Sequence, residues 1–282
     1  MIQCAGFVTR HKERDLEIPK HRQALMTAIE KDLFNDDDVL AAFYGGSIGN
    51  ENMDLYSDID LRIVVLPEKF QEFISNKKKR PKKWGNVLYF EGLGPFVTYS
   101  IAHYDCFVKV DTFYYKPEDI QPSIWLKNIK IIKDTNGMLA DILDKSMALS
   151  YEPTAEEIEI WRTKFFAYFH EAYRRVMRKE YYYALKCIDH LRLSMATAWY
   201  MEMGIQPNAF GDWAKYEGQR SKLKDWQRAL LESWECGRNP LEMINVMKSI
   251  IPEFIRVHKN LCHRLRIEEN FEWISRVIDM VI

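Results

Sequence analysis

Asp58 and Asp60 are separated by one residue at the start of an apolar run, and Gly45-Gly46-Ser47 ends the apolar run before it. Side chains alternate along a strand, so the two acids share one side, about 7 Å apart. Two carboxylates so placed repel each other and are costly to take out of water. A divalent cation relieves both problems, and hard oxygen donors favour magnesium. The glycines have a complementary use. Gly45 and Gly46 let the backbone approach a bulky anion, and Ser47 offers a hydroxyl beside it. A phosphate cradle facing a metal is apparatus for phosphoryl or nucleotidyl transfer, not for a Ser-His hydrolase.

The elements that must position these groups are two strands, Val39 to Tyr44 and the run that begins near Asp58 and continues to Leu66. A helix from Ile18 to Phe34 precedes them, with Leu25, Ile29 and Leu33 at helical spacing and Pro19 near its start. Pro67 to Ser75 predicts a short helix with proline in its first turn. The run from Lys77 to Lys83 holds six basic residues around Pro81 and predicts a solvated loop, with a basic flap near a triphosphate as the alternative use. Further strands are expected at Asn86 to Phe90, Phe96 to His103, Asp105 to Tyr115 and Asn128 to Ile132, then a helix from Met138 to Leu149. Asp111 is out of place by propensity in a β-branched and aromatic strand.

The order G-G-S, then D-I-D eleven residues after the serine, resembles the signature of the DNA polymerase beta-like nucleotidyltransferase superfamily. Within it the chain is most similar to the small bacterial enzymes that adenylylate aminoglycoside or lincosamide antibiotics. The resemblance implies a third carboxylate on a later strand, and Asp111 supplies it; Asp105 competes but follows a turn at His103-Tyr104. It implies that Asp58, Asp60 and Asp111 hold magnesium bound to ATP, with Asp111 joining them as ligand or acting as base. Pyrophosphate would leave toward Gly45, Gly46 and Ser47. The plainer uses are turn capping for Asp58 and an ion pair with Lys109 or Arg62 for Asp111. Related enzymes also set a basic helical-domain residue against the triphosphate, for which Lys186 and, more weakly, Arg192 are the candidates.

Beyond Tyr151-Glu152-Pro153 the pattern turns helical. Thr154 and Glu157 form a capping box, and helices are expected at about 155–178, 180–203, 222–236, 240–262 and 268–281, with Pro252 kinking or splitting the fourth. Lys186 and His190, four apart, share a face. The aromatic cluster Tyr181-Tyr182-Tyr183 and the tryptophans at 199, 213, 226 and 234 suit a core. The expected architecture is therefore α+β: a mixed sheet with flanking helices over 1–150, then an all-helical bundle over 151–282. By the resemblance the first is a nucleotidyltransferase catalytic domain and the second binds substrate or nucleotide.

Composition bounds the partners. With 282 residues, 47% apolar, 29% charged and a net charge of −1, the chain has the make-up of a soluble globular protein without the basic excess of a nucleic-acid binder. The five scattered cysteines, Cys4 among them, suit reduced thiols in the cytoplasm. No run has the length of a membrane span or the make-up of a signal peptide. The expected partners are a nucleoside triphosphate and a small hydroxylated acceptor. Two other functions stay open: a nucleotide-binding interaction module without catalysis, and an adenylyltransferase of a protein partner.

Overall fold

A computed structural model of the chain describes residues 10–92, 94 and 96–282, so Cys4 lies outside the described residues. The chain divides into two compact units, Met1–Leu149 and Ser150–Ile282.

The first unit is built on a six-stranded sheet, β1 (Val39–Tyr44), β2 (Ile59–Val65), β3 (Val87–Phe90), β4 (Tyr99–Tyr104), β5 (Lys109–Tyr115) and β6 (Lys130–Asp134), in the order β3-β4-β5-β2-β1-β6. The sheet is mixed: β2 and β5 run parallel, and the other neighbours pair antiparallel. Helix α1 (Lys12–Phe34) packs Leu25, Ile29 and Leu33 onto one face, against Ile59, Leu61 and Ile63 of β2 and Val110 and Tyr114 of β5. Each such fully buried side chain contributes about 1.5–3 kcal/mol by leaving water. A short turn of helix, α2 (Gly46–Gly49), follows β1, and α3 (Phe70–Asn76) follows β2. Helix α4 (Met138–Met147) sets Leu139 and Ile142 against Ala41, Phe43 and Val64 on the opposite face.

Three expectations for this unit change. Helix α1 begins at Lys12 rather than Ile18, which puts Pro19 inside it. The missing proline N–H is outweighed by anchors on the added turns: Asp15 is buried and accepts a 2.9 Å bond from the Tyr56 hydroxyl. The basic run is not simply solvated. Arg80 is buried and pairs with Asp32 and Asp36, each at 2.7 Å, while Lys77 is buried and donates to the Val97 carbonyl at 2.6 Å. Lys78, Lys79, Lys82 and Lys83 do face solvent. The strand expected from Asp105 starts only at Lys109, because Phe107, with φ of +62°, closes a turn between Tyr104 and Val108.

The second unit consists of α5 (Ala155–Met177), α6 (Tyr181–Glu202), α7 (Asp225–Ser233), α8 (Pro240–Leu265) and α9 (Phe271–Asp279). Its entry is the expected capping box: the Glu157 N–H donates to Thr154 Oγ1 at 3.1 Å, and the Thr154 N–H donates to Glu157 Oε2 at 2.8 Å. Pro252 does not split α8, which runs on as one helix. Phe254, Val257 and Leu261, buried just beyond it, hold that half in place and outweigh the lost backbone bond. Trp199 and Trp234 are core, but Trp226 is exposed, as are Tyr182 and Tyr183. Tyr182 lies under the Arg238 guanidinium at 4.5 Å and Tyr183 under Arg175 at 4.1 Å, so these rings cover surface cations instead of filling the core. Among the described residues, no helix is long and apolar enough to cross a membrane.

Candidate active site

Alternation in β2 and β5 sends Ile59, Leu61, Ile63, Val110 and Tyr114 into the core. Asp60, Arg62, Lys109 and Asp111 therefore go to the opposite face. Register completes the arrangement, because Asp60 pairs directly with Asp111 across the parallel ladder. Asp58 stands one residue ahead of β2. Its loop is pinned from α1, where the buried Arg22 guanidinium donates to the Ser57 carbonyl at 2.8 Å.

The glycine turn lies over β2. The Gly45 N–H donates to the Asp60 carbonyl at 2.9 Å. A Cβ on residue 45 would come within 2.8 Å of Arg62 Nη1, so the guanidinium lies close against the turn and would have to shift for any larger residue. Ser47 Oγ and Arg62 Nη1 are both buried without a hydrogen-bond partner. Such groups are costly unless an acceptor arrives, and a phosphate oxygen is an acceptor for both.

The acids are held by cations of the same face. Lys109 Nζ lies 2.9 Å from Asp58 Oδ2 and 2.8 Å from Asp111 Oδ2. Arg62 Nη1 lies 3.5 Å from Asp60 Oδ1. Burial raises the Asp111 pKa above the usual carboxylate range; Lys109 pulls it back, and Asp58 and Asp60 push it further up. Burial works against the Lys109 ammonium, but its bonds to Asp111 and Asp58 more than compensate, so its pKa stands above that of an ordinary lysine.

All three carboxylates offer hard oxygens, and Asp111 Oδ1 is buried with no partner, which is donor chemistry that suits magnesium. Among the described residues, however, no group of three His, Cys, Asp or Glu side chains is gathered to hold a metal ion. What joins Asp58 to Asp111 is the lysine ammonium, so Asp111 makes the ion pair with Lys109 that is its plainer use.

Lys186 and Arg192 belong to the helical unit. Lys186 is exposed on α6. Arg192 is partly buried and donates through Nε to the Trp234 carbonyl at 3.0 Å, fastening α6 to the end of α7. His190 stacks on Tyr168 with centroids 4.2 Å apart, and its Nδ1 is buried without a partner. His103 stacks on Tyr89 at 4.3 Å and bonds Glu91 at 3.1 Å, a structural use. Sequence reasoning missed Arg22. Its signal was available, since position 22 falls between Ile18 and Leu25 on the apolar stripe of α1, where an unpaired charge is excluded.

No protein-family model matches the sequence, and no curated protein does. Among solved structures, the chain is similar to an aminoglycoside 6-adenyltransferase from Bacillus subtilis, with a TM-score of 0.40 and 11% identity over 92% of this chain and 96% of that one. It is also similar to a nucleotidyltransferase-like protein from Exiguobacterium sibiricum 255-15, with a TM-score of 0.44 and 12% identity over 86% of this chain and 78% of that one.

Proposed function

We propose that this chain is a nucleotidyltransferase that moves AMP from ATP to a hydroxyl of a small acceptor, with an aminoglycoside-type compound the first class to try. The observation that carries the reading is the pairing of Asp60 with Asp111 across β2 and β5, on the face that also holds Lys109 and lies beside the glycine turn. Two adjacent, partly buried acids repel each other, and a sheet that serves only as scaffold gains nothing from them.

In this reading the turn at Gly45, Gly46 and Ser47 receives the triphosphate, Ser47 Oγ gains the hydrogen-bond partner it lacks, and Arg62 Nη1 adds a hydrogen bond to its ion pair with Asp60. Asp58, Asp60 and Asp111 would hold a magnesium ion, which when bound neutralises phosphate charge and favours attack at the α-phosphorus. Asp111 accepts the proton of the acceptor hydroxyl at Oδ1, and its raised pKa makes it a stronger base than an ordinary carboxylate. As the hydroxyl oxygen bonds to the α-phosphorus, the bond to the pyrophosphate oxygen breaks and pyrophosphate leaves.

The test is pyrophosphate release from ATP and magnesium over a panel of hydroxylated acceptors, aminoglycosides included. Asp58→Asn and Asp60→Asn should abolish release while the proteins stay folded, and full turnover in both would sink the proposal. A second reading, a nucleotide-binding module without catalysis, draws on the Lys109 bridge, since an ammonium already satisfies two of the acids. Calorimetric binding of ATP with no turnover on any acceptor favours that module.

A further inference from the structure

Lys109 and Asp111 are two apart in β5, so their side chains leave the same face. The ammonium is the group that Asp58 and Asp111 share, at 2.9 and 2.8 Å. Asp60 has a separate cation in Arg62. With three carboxylates against two cations, these five side chains keep one net negative charge. A divalent ion entering with Lys109 in place would overshoot neutrality, and it would meet an ammonium on the oxygens it needs. With the ammonium gone, the same ion balances the charge.

We propose that Lys109 is an exchangeable resident cation: it closes the carboxylate site to free divalent ions and leaves when a triphosphate arrives with its own. The inference rests on reading this face as the nucleotide site. Phosphate oxygens offer Lys109 an alternative partner, so the ammonium moves from carboxylate to phosphate as the divalent ion takes its former place. The exchange conserves charge pairing, and neither ligand alone completes it. Metal and nucleotide then bind with positive coupling, each raising the affinity for the other. Asp111 Oδ1, buried beside the bridge and without a partner, is the acceptor left over in the closed state.

The test is a manganese titration of the full chain, free ion followed by electron paramagnetic resonance, with and without a non-hydrolysable ATP analogue. Without nucleotide, Lys109→Met should bind manganese at least about tenfold more tightly than the parent, the scale expected for removing a charge a few ångströms away. Lys109→Arg, which keeps the charge, should bind as weakly as the parent. The analogue should tighten manganese binding strongly in the parent and much less in Lys109→Met. Lys109→Gln is read in the same way should the methionine variant fail to fold. Equal nucleotide-free affinity in the parent and the neutral variant overturns the inference. Because the titration needs no turnover, the two readings separate. The expected manganese result with no pyrophosphate release overturns the transfer reaction alone, whereas turnover with unchanged manganese affinity overturns the exchange alone.

Discussion

Gly46 and Asp60 share one small volume. A Cβ on residue 46 would stand 1.8 Å from Asp60 Oδ2, and the glycine has φ of +55°. The turn is therefore shaped around the acid: the backbone crosses β2 closely because residue 46 has no side chain, and the carboxylate fills the space. Positive φ and steric exclusion are separate reasons for the same residue.

Gly46→Ala should accordingly lower stability by more than the about 1–3 kcal/mol that left-handed backbone costs a side chain, because the collision with Asp60 adds to it. It should also displace Asp60 and abolish pyrophosphate release. Asp60→Ala in the same background removes the collision but not the backbone strain, so part of the stability returns while activity does not. Urea unfolding of the single and double variants measures the split. A Gly46→Ala protein as stable as the parent would contradict this account of the turn.

Arg80 carries a second prediction. Its side chain is 10% exposed and bonds Asp32 and Asp36, while the Trp84 indole also donates to Asp32 at 2.9 Å. Truncating Arg80 to alanine takes the buried cation from two partly buried carboxylates, which keep only N–H donors from Trp84 and Asp38 and a distant Lys83, and the expected loss is about 3 kcal/mol. Lys79→Ala, on the exposed side of the same run, should change stability by less than about 0.5 kcal/mol. Parallel denaturation curves for the two variants decide whether the run is anchored where the structure has it.

Those two residues mark what could be read in advance. Alternation along β2 is a local property, so Asp60 and Arg62 could be assigned to one face, and the glycines beside them stood out. Asp111 could be picked as an acid in an apolar strand, but its pairing with Asp60 depends on β5 lying next to β2, and periodicity does not encode strand order. Arg80 looked like one more cation in a charged run because the carboxylates that bury it come from α1 and the turn after it. Pro252 misled for a related reason: the packing that holds α8 through it comes from other helices. Local rules found the groups, and distant partners decided their surroundings.

The capping box at the start of α5 gives a prediction of modest size. Thr154→Ala removes the acceptor of the Glu157 N–H and should cost about 1 kcal/mol, while Thr154→Ser should cost little. Thermal unfolding read by helical circular dichroism checks it, and equal midpoints for the alanine variant and the parent would refute the cap's contribution.

His258 sets a pH dependence in the helical unit. It is buried, lies near Trp161 and Phe254, and has Arg162 Nη1 3.3 Å from its Nε2. Burial first, and then the Arg162 charge, push its pKa from 6.5 down to about 4, against a smaller upward pull from Glu159. The folded protein thus keeps His258 neutral at a pH where the unfolded chain has already taken up a proton. Its contribution is fully present above 6.5 and is lost progressively as pH falls toward about 4, below which it changes no further. The loss is on the order of 3 kcal/mol. Other carboxylates titrate near the lower end, so the readout is a difference: His258→Gln should show a shallower fall in urea-unfolding stability across that window than the parent. Equal slopes would mean that the folded protein protonates His258 as readily as the unfolded chain does.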